Sequence, residues 1–184
     1  METKSLRTIQ IFAKIGRILD MILHILSIVG LVFCIIGFVL AVTGTSLSYI
    51  FVEPEIISNY MKIENISYGA IAGAFVAGMI ACASGVVVTT FGGKFFKSEL
   101  EVGQPFDYMV ANKLKKYGIA TIVSPLVANI LAQFALAACF NYYGISQKMN
   151  FDLEIKLGVG ILYIVLSVVL RYGAEQREIK EVTI

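Results

Sequence analysis

MILHILSIVGLVFCIIGFVLAVTGTSLSYIF, residues 21–51, runs for thirty-one positions without a formally charged side chain. An α-helix rises about 1.5 Å per residue, so about 20 apolar residues already cross the roughly 30 Å of a bilayer's hydrocarbon. This stretch therefore reads as a membrane-spanning helix. Working outward, residues 65–93 and 117–147 are also uncharged and long enough to span. A fourth run, 157–170, is shorter, but Phe151, Leu153 and Ile155 extend it, and Lys156 and Arg171 can snorkel toward headgroups at its ends. With 184 residues, 58% of them hydrophobic and 15% charged, and a mean hydropathy of +0.81, the chain carries more apolar surface than a soluble domain of that size can bury.

The predicted fold is all-α: an integral membrane four-helix bundle forming a single domain over residues 1–184, with short interfacial helices. The helices are expected near residues 18–43, 67–92, 117–141 and 153–172, with an elbow at 94–116 and a tail at 173–184. The first apolar run is about twice the length of a signal-peptide core and lacks a small-residue cleavage site, so it is taken as the first spanning helix.

Charge sets the orientation. Twelve of the fifteen Lys and Arg residues fall on one side: Lys4, Arg7, Lys14 and Arg17; five between Lys94 and Lys116; and Arg171, Arg177 and Lys180. Only Lys62, Lys148 and Lys156 fall on the other, beside Glu53, Glu55, Glu64, Asp152 and Glu154. By the positive-inside rule both termini are expected in the cytoplasm. Residues 1–17 read either as an amphipathic helix on the inner leaflet or as an extension of the first spanning helix. In the first outer loop, Glu53-Pro54-Glu55 reads as the start of a short helix that rests Ile56, Ile57, Tyr60, Met61 and Ile63 on the outer leaflet.

Several function classes find no support. A net charge of +2 without a basic face leaves nothing to follow a nucleic-acid backbone, so no nucleic-acid partner is expected. Phosphate-binding glycine loops, G-x-S-x-G and H-E-x-x-H are missing from the sequence. Cys34, Cys82 and Cys139 show no metal-ligand spacing, and His24 is the single histidine. The expectation is a protein that is not an enzyme and carries no cofactor or metal. Asn65-Ile66-Ser67 matches a glycosylation sequon but abuts the membrane.

Three features inside the spans stand out. Gly69, Gly73, Ala77, Ala81 and Gly85 recur every four residues, beside a parallel row of Ala70, Ala74 and Gly78. Such a face lets a second backbone approach closely, whether from the same chain or from another copy in a homo-oligomer. Thr121, Pro125, Asn129 and Gln133 form a polar line that drifts only about 40° per four-residue step. Asn129, near the bilayer centre, needs a polar partner, either as interhelical glue or as the lining of a pathway. Asp20 and His24 lie one turn apart near the inner interface, where the pairing expected for Asp20 is with Arg17 or Lys14, and the alternative is a proton relay.

The elbow from Lys94 to Lys116 is broken by Gly103-Gln104-Pro105, and a helix is expected to start near Pro105 and carry Phe106, Met109, Val110 and Leu114 on one side. Gly173 is expected to end the fourth helix, letting Glu175 and Glu178 reach Lys113, Lys115 or Lys116. Here the chain resembles the small bacterial membrane proteins grouped as domain of unknown function 2975. The resemblance rests on Glu101-x-Gly103-x-Pro105-Phe106, on Leu114-Lys115-x-x-Gly118, and on the tail Arg171-Tyr172-Gly173-Ala174-Glu175-Gln176-Arg177-Glu178 with Val182-Thr183-Ile184. It departs from that family at Asp107, where Ser or Thr is usual, and at Gln176, where a Leu-Gln pair is usual. The resemblance implies a four-helix inner-membrane protein without assigned chemistry, often encoded beside small helix-turn-helix regulators.

The functional expectation is a non-catalytic regulatory or accessory protein of the bacterial cytoplasmic membrane. It would contact lipid on its flanks and a protein partner on its cytoplasmic face through Gly103, Pro105, Phe106, Gly173 and Glu175. The alternatives are a small transporter or channel subunit assembling through the second helix, and an immunity or envelope-stress protein.

Overall fold

The computed structural model describes residues 4–43, 68–102, 106–144 and 157–182, and these form four helices with no strand among them. They are α1 (Lys4–Val42), α2 (Tyr68–Val102), α3 (Tyr108–Tyr142) and α4 (Leu157–Val182). Each is long and apolar enough to cross a membrane, which makes the chain an all-α, multi-pass membrane protein. On α1, Phe12, Leu26 and Ile18 expose 66%, 65% and 56% of their surface, a display that suits lipid and would be untenable in water.

Local chemistry sets the helix ends. The Thr43 amide and hydroxyl both donate to the Val39 carbonyl at 3.0 Å and close the last turn of α1. Asp107 caps α3: its Oδ1 accepts from the Met109 amide at 2.7 Å and from the Val110 amide at 3.3 Å. At the other end of α3, Gly144 takes a φ of +68° and donates to the Asn141 carbonyl, as a glycine just past a helix end does.

The helices run further than the apolar spans, and this corrects the predicted boundaries. α1 continues unbroken through residues 4–17, so the N-terminal segment extends the spanning helix. α2 passes through Lys94 to Val102, and α3 begins at Tyr108, so only residues 103–107 separate the two. Most of the predicted elbow is the two helix ends, because Lys and Glu are good helix formers and no glycine or proline intervenes before Gly103. Gly173 does not end α4, which continues to Val182. The first outer loop with its expected short helix, the sequon, Gly103, Pro105, and Thr183 and Ile184 lie outside the described residues.

At 35 residues each, α2 and α3 are about 52 Å long, some 20 Å more than the hydrocarbon requires. The excess lies where α2 carries Lys94, Lys97, Glu99 and Glu101 and α3 carries Lys113, Lys115 and Lys116. These charged ends form a helical base.

Contacts divide into two compact units: Met1–Ile25 with Gly85–Pro125 and Ile155–Ile184, and Leu26–Ser84 with Leu126–Glu154. The first is centred on buried Phe95, Val110 and Leu114, with Phe96, Tyr117 and Tyr163 against them. The second is centred on Ala41, Ala70, Ile71, Ala72, Phe75 and Phe140. In the second unit α1 and α2 alternate notch and knob: Phe75 fills the space beside Gly37, Cys82 that beside Gly30, and Cys34 that beside Gly78. In lipid such close packing replaces the hydrophobic drive that water would supply.

Candidate functional site

The ionisable centre of the first unit is built on Asp20. Its side chain is only 7% exposed, whereas Arg17 and Lys14 on the same helix are exposed. The expected surface pairing is thereby corrected: α1 turns Asp20 inward, against the backbone of α2. The carboxylate rests on Gly92 and Gly93, and a Cβ at Gly93 would lie 3.1 Å from its Oδ2, while one at Gly92 would run into its Oδ1. Any larger side chain at Gly92 would force the carboxylate to shift, and one at Gly93 would press on it. One turn further along α1, His24 Nδ1 lies 2.8 Å from Thr89 Oγ1, a contact between α1 and α2 across 65 positions of sequence.

The Thr89 hydroxyl has one proton, and it points to the Gly85 carbonyl at 2.8 Å, with the Val86 carbonyl at 3.2 Å. Its oxygen is therefore placed to accept from the imidazole, which puts the hydrogen on His24 Nδ1. From α3, the Tyr117 ring edge would come within 3.1 Å of a Cβ at Gly92. Tyr117 stacks on Tyr163 of α4 with ring centroids 4.9 Å apart. All four helices thus contribute at the level of Asp20.

The predicted site residues fare differently. Gly69 packs against Tyr143 and Gly73 against Leu136, Phe140 and Cys139, so that end of the small-residue stripe packs within the chain. Ala77 is half-buried and Ala81 exposed. A four-residue spacing drifts about 40° per step, so a line that faces inward at Gly69 has turned well away by Ala81. Gly85 serves the polar centre through its carbonyl. On α3, Thr121 donates to the Tyr117 carbonyl at 2.8 Å, Pro125 is exposed, and Asn129 and Gln133 are half-buried, Asn129 not without a partner.

In the base, Phe106 fills the space beside Gly173, so these two candidate partner-binding residues occupy each other. Glu175 pairs with Arg171 at 3.3 Å, and Glu178 accepts from the Tyr108 hydroxyl at 3.2 Å. Those bonds correct the expected reach of Glu175 and Glu178 toward the lysines of α3. The reason is the unbroken helix: with Gly173 helical, Glu175 lies one turn beyond Arg171 on the same face.

Sequence reasoning missed Thr89, Gly92, Gly93, Tyr117 and Tyr163 as members of one centre. The paired glycine Gly92-Gly93 in α2 was the available signal, since it opens a notch deep enough for a carboxylate. Among the described residues no group of three or more His, Cys, Asp or Glu gathers as metal ligands would. Compared with known proteins, the chain matches no family model, no curated protein and no solved structure.

Proposed function

We propose that this chain is a non-catalytic, multi-pass protein of a bacterial cytoplasmic membrane, with both termini cytoplasmic, that regulates or supports another protein through its charged helical base. The observation that carries the reading is the continuation of α2, α3 and α4 past their apolar spans with a buried core of their own around Phe95, Val110 and Leu114. A protein needing only to anchor in lipid has no use for a packed base. Its surface supports the reading further, because Met109, Tyr172 and Ile179 expose 56%, 62% and 59% of their area next to Lys and Glu side chains. Large apolar groups exposed among charges mark contact surfaces. The charge asymmetry supports the cytoplasmic placement, and the motifs shared with domain of unknown function 2975 support the bacterial one.

Photo-crosslinking in living cells tests the proposal. A photoreactive residue at Met109 or Ile179 is expected to trap one protein adduct, identified by mass spectrometry, that Met109→Glu with Ile179→Glu abolishes while insertion and helicity persist. A probe at Phe33, 52% exposed on α1, is expected to meet lipid. No protein adduct at the base, or the same adducts at Phe33, refutes the reading.

A further inference from the structure

We infer that Asp20 and His24 form a proton-binding site whose occupancy is read by the packing of α1 on α2. This inference stands independently of any partner at the base. Three observations carry it. Asp20 is nine-tenths buried within a helix that spans the membrane, and its carboxylate is seated on the bare backbone of Gly92 and Gly93. The amides of an interior helical turn are already committed to carbonyls four residues back, so that seat offers the carboxylate no backbone donor. His24 is the neighbouring charge partner, and its ring is fixed by the Nδ1 to Thr89 hydrogen bond.

The groups facing this pair from each helix are few. On α1 they are His24 itself, with Arg17 and Lys14 turned outward. From α2 come the Thr89 hydroxyl and the two glycines, while Lys94 is drawn aside over the Phe91 ring at 5.6 Å. From α3 comes Tyr117, and from α4 Tyr163, which holds Tyr117 by stacking. None of these groups from the described residues of α2, α3 and α4 carries a positive charge at the pair, so a proton arriving at His24 or at Asp20 alters the net charge of a buried contact by one unit. Asp20 and His24 lie four residues apart on α1, so their side chains are neighbours on one face of that helix. The acceptor of the proton is a lone pair on Nε2 or on a carboxylate oxygen, and the donor is water, so charge and atoms balance without a further reactant.

The test exploits composition: the chain has one histidine, so imidazole signals from the full chain, purified without a histidine tag, report His24 alone. Protein labelled with 15N-histidine is placed in phosphatidylcholine nanodiscs and followed by nuclear magnetic resonance between about pH 5 and 8. Nδ1 is expected to stay protonated throughout while Nε2 titrates. Asp20→Asn, which keeps shape and removes charge, is expected to move the midpoint by about one pH unit, a tenfold change in proton affinity. Thr89→Val is expected to release the Nδ1 proton into a mixture of tautomers, and Thr89→Ser to restore it; a merely structural threonine would give neither result. Should Asp20→Asn fail to fold, Asp20→Glu, which moves the charge by one methylene, replaces it and is expected to shift the midpoint as well. An Nε2 that does not titrate in the folded wild-type protein, or a midpoint indifferent to residue 20, overturns the inference.

Discussion

Replacing Gly118 by Ala adds one methyl group at the closest backbone approach in the first unit. A Cβ there would lie 3.0 Å from the Gly160 carbonyl oxygen, 3.0 Å from Ile164 Cγ1 and 3.1 Å from the Ile164 amide nitrogen, where ordinary contact begins at 3.4 Å. Two of these three atoms belong to the backbone and cannot rotate aside, so α3 and α4 must part by a few tenths of an ångström. Overpacking of this kind costs about 1–3 kcal/mol. Alanine is also the better helix former by up to about 1 kcal/mol, which would mask part of that loss. Gly158 supplies the correction: it lies on the same helix as Gly160, and a Cβ there meets nothing within 4 Å. Gly158 lies in the first turn of α4, where the propensity gain is no larger than at the interior Gly118, so subtraction gives a lower bound on the contact term. Gly118→Ala is expected to be less stable than Gly158→Ala by about 1–3 kcal/mol. The assay is reversible unfolding of the full chain in mixed micelles titrated with dodecyl sulfate and followed by far-ultraviolet circular dichroism. Equal midpoints for the two variants, within about 0.5 kcal/mol, would show that α3 and α4 do not cross at these glycines.

Three further outcomes are expected. In a chain with Cys34, Cys82 and Cys139 replaced by Ala, Glu55→Cys reacts with an impermeant maleimide in intact cells and Lys97→Cys reacts only after lysis; the reverse pattern inverts the topology. Ser98 is 1% exposed and its hydroxyl has no hydrogen-bond partner among the described residues, so Ser98→Ala is expected to raise stability by about 1 kcal/mol, and a clear loss would reveal an unseen partner. Cys34 of α1 packs on Gly78 of α2 and Cys82 of α2 packs on Gly30 of α1, so both thiols lie in the same helix contact, and a membrane-permeant oxidant is expected to join them, with a mass loss of two hydrogens in the peptide pair; failure to join under conditions that oxidise a control dithiol places the two helices in another register.

Burial in lipid is a one-dimensional constraint, and for that reason the sequence by itself determined the spans. Each residue pays its own transfer cost, so the uncharged runs at 21–51, 65–93 and 117–147 mark membrane-spanning helices whatever their neighbours. Capping is equally local: Asp107 declares the start of α3 because its carboxylate reaches amides only two and three residues away. The inner limits were harder to read, because lysine and glutamate end a span without ending a helix, and Gly173 ends one only when nothing continues it. What only the tertiary structure decided is the rotation of each helix about its own axis. Whether Asp20 turns to Arg17 or inward depends on Gly92 and Gly93, some seventy positions away, and whether Gly173 is a terminus or a notch depends on Phe106 arriving beside it. A small-residue stripe marks a smooth face without naming what lies against it, so the inward turn at Gly73 and the outward turn at Ala81 follow from the helices that surround them. Such contacts form between elements distant in sequence, and no local period encodes which pairs will meet.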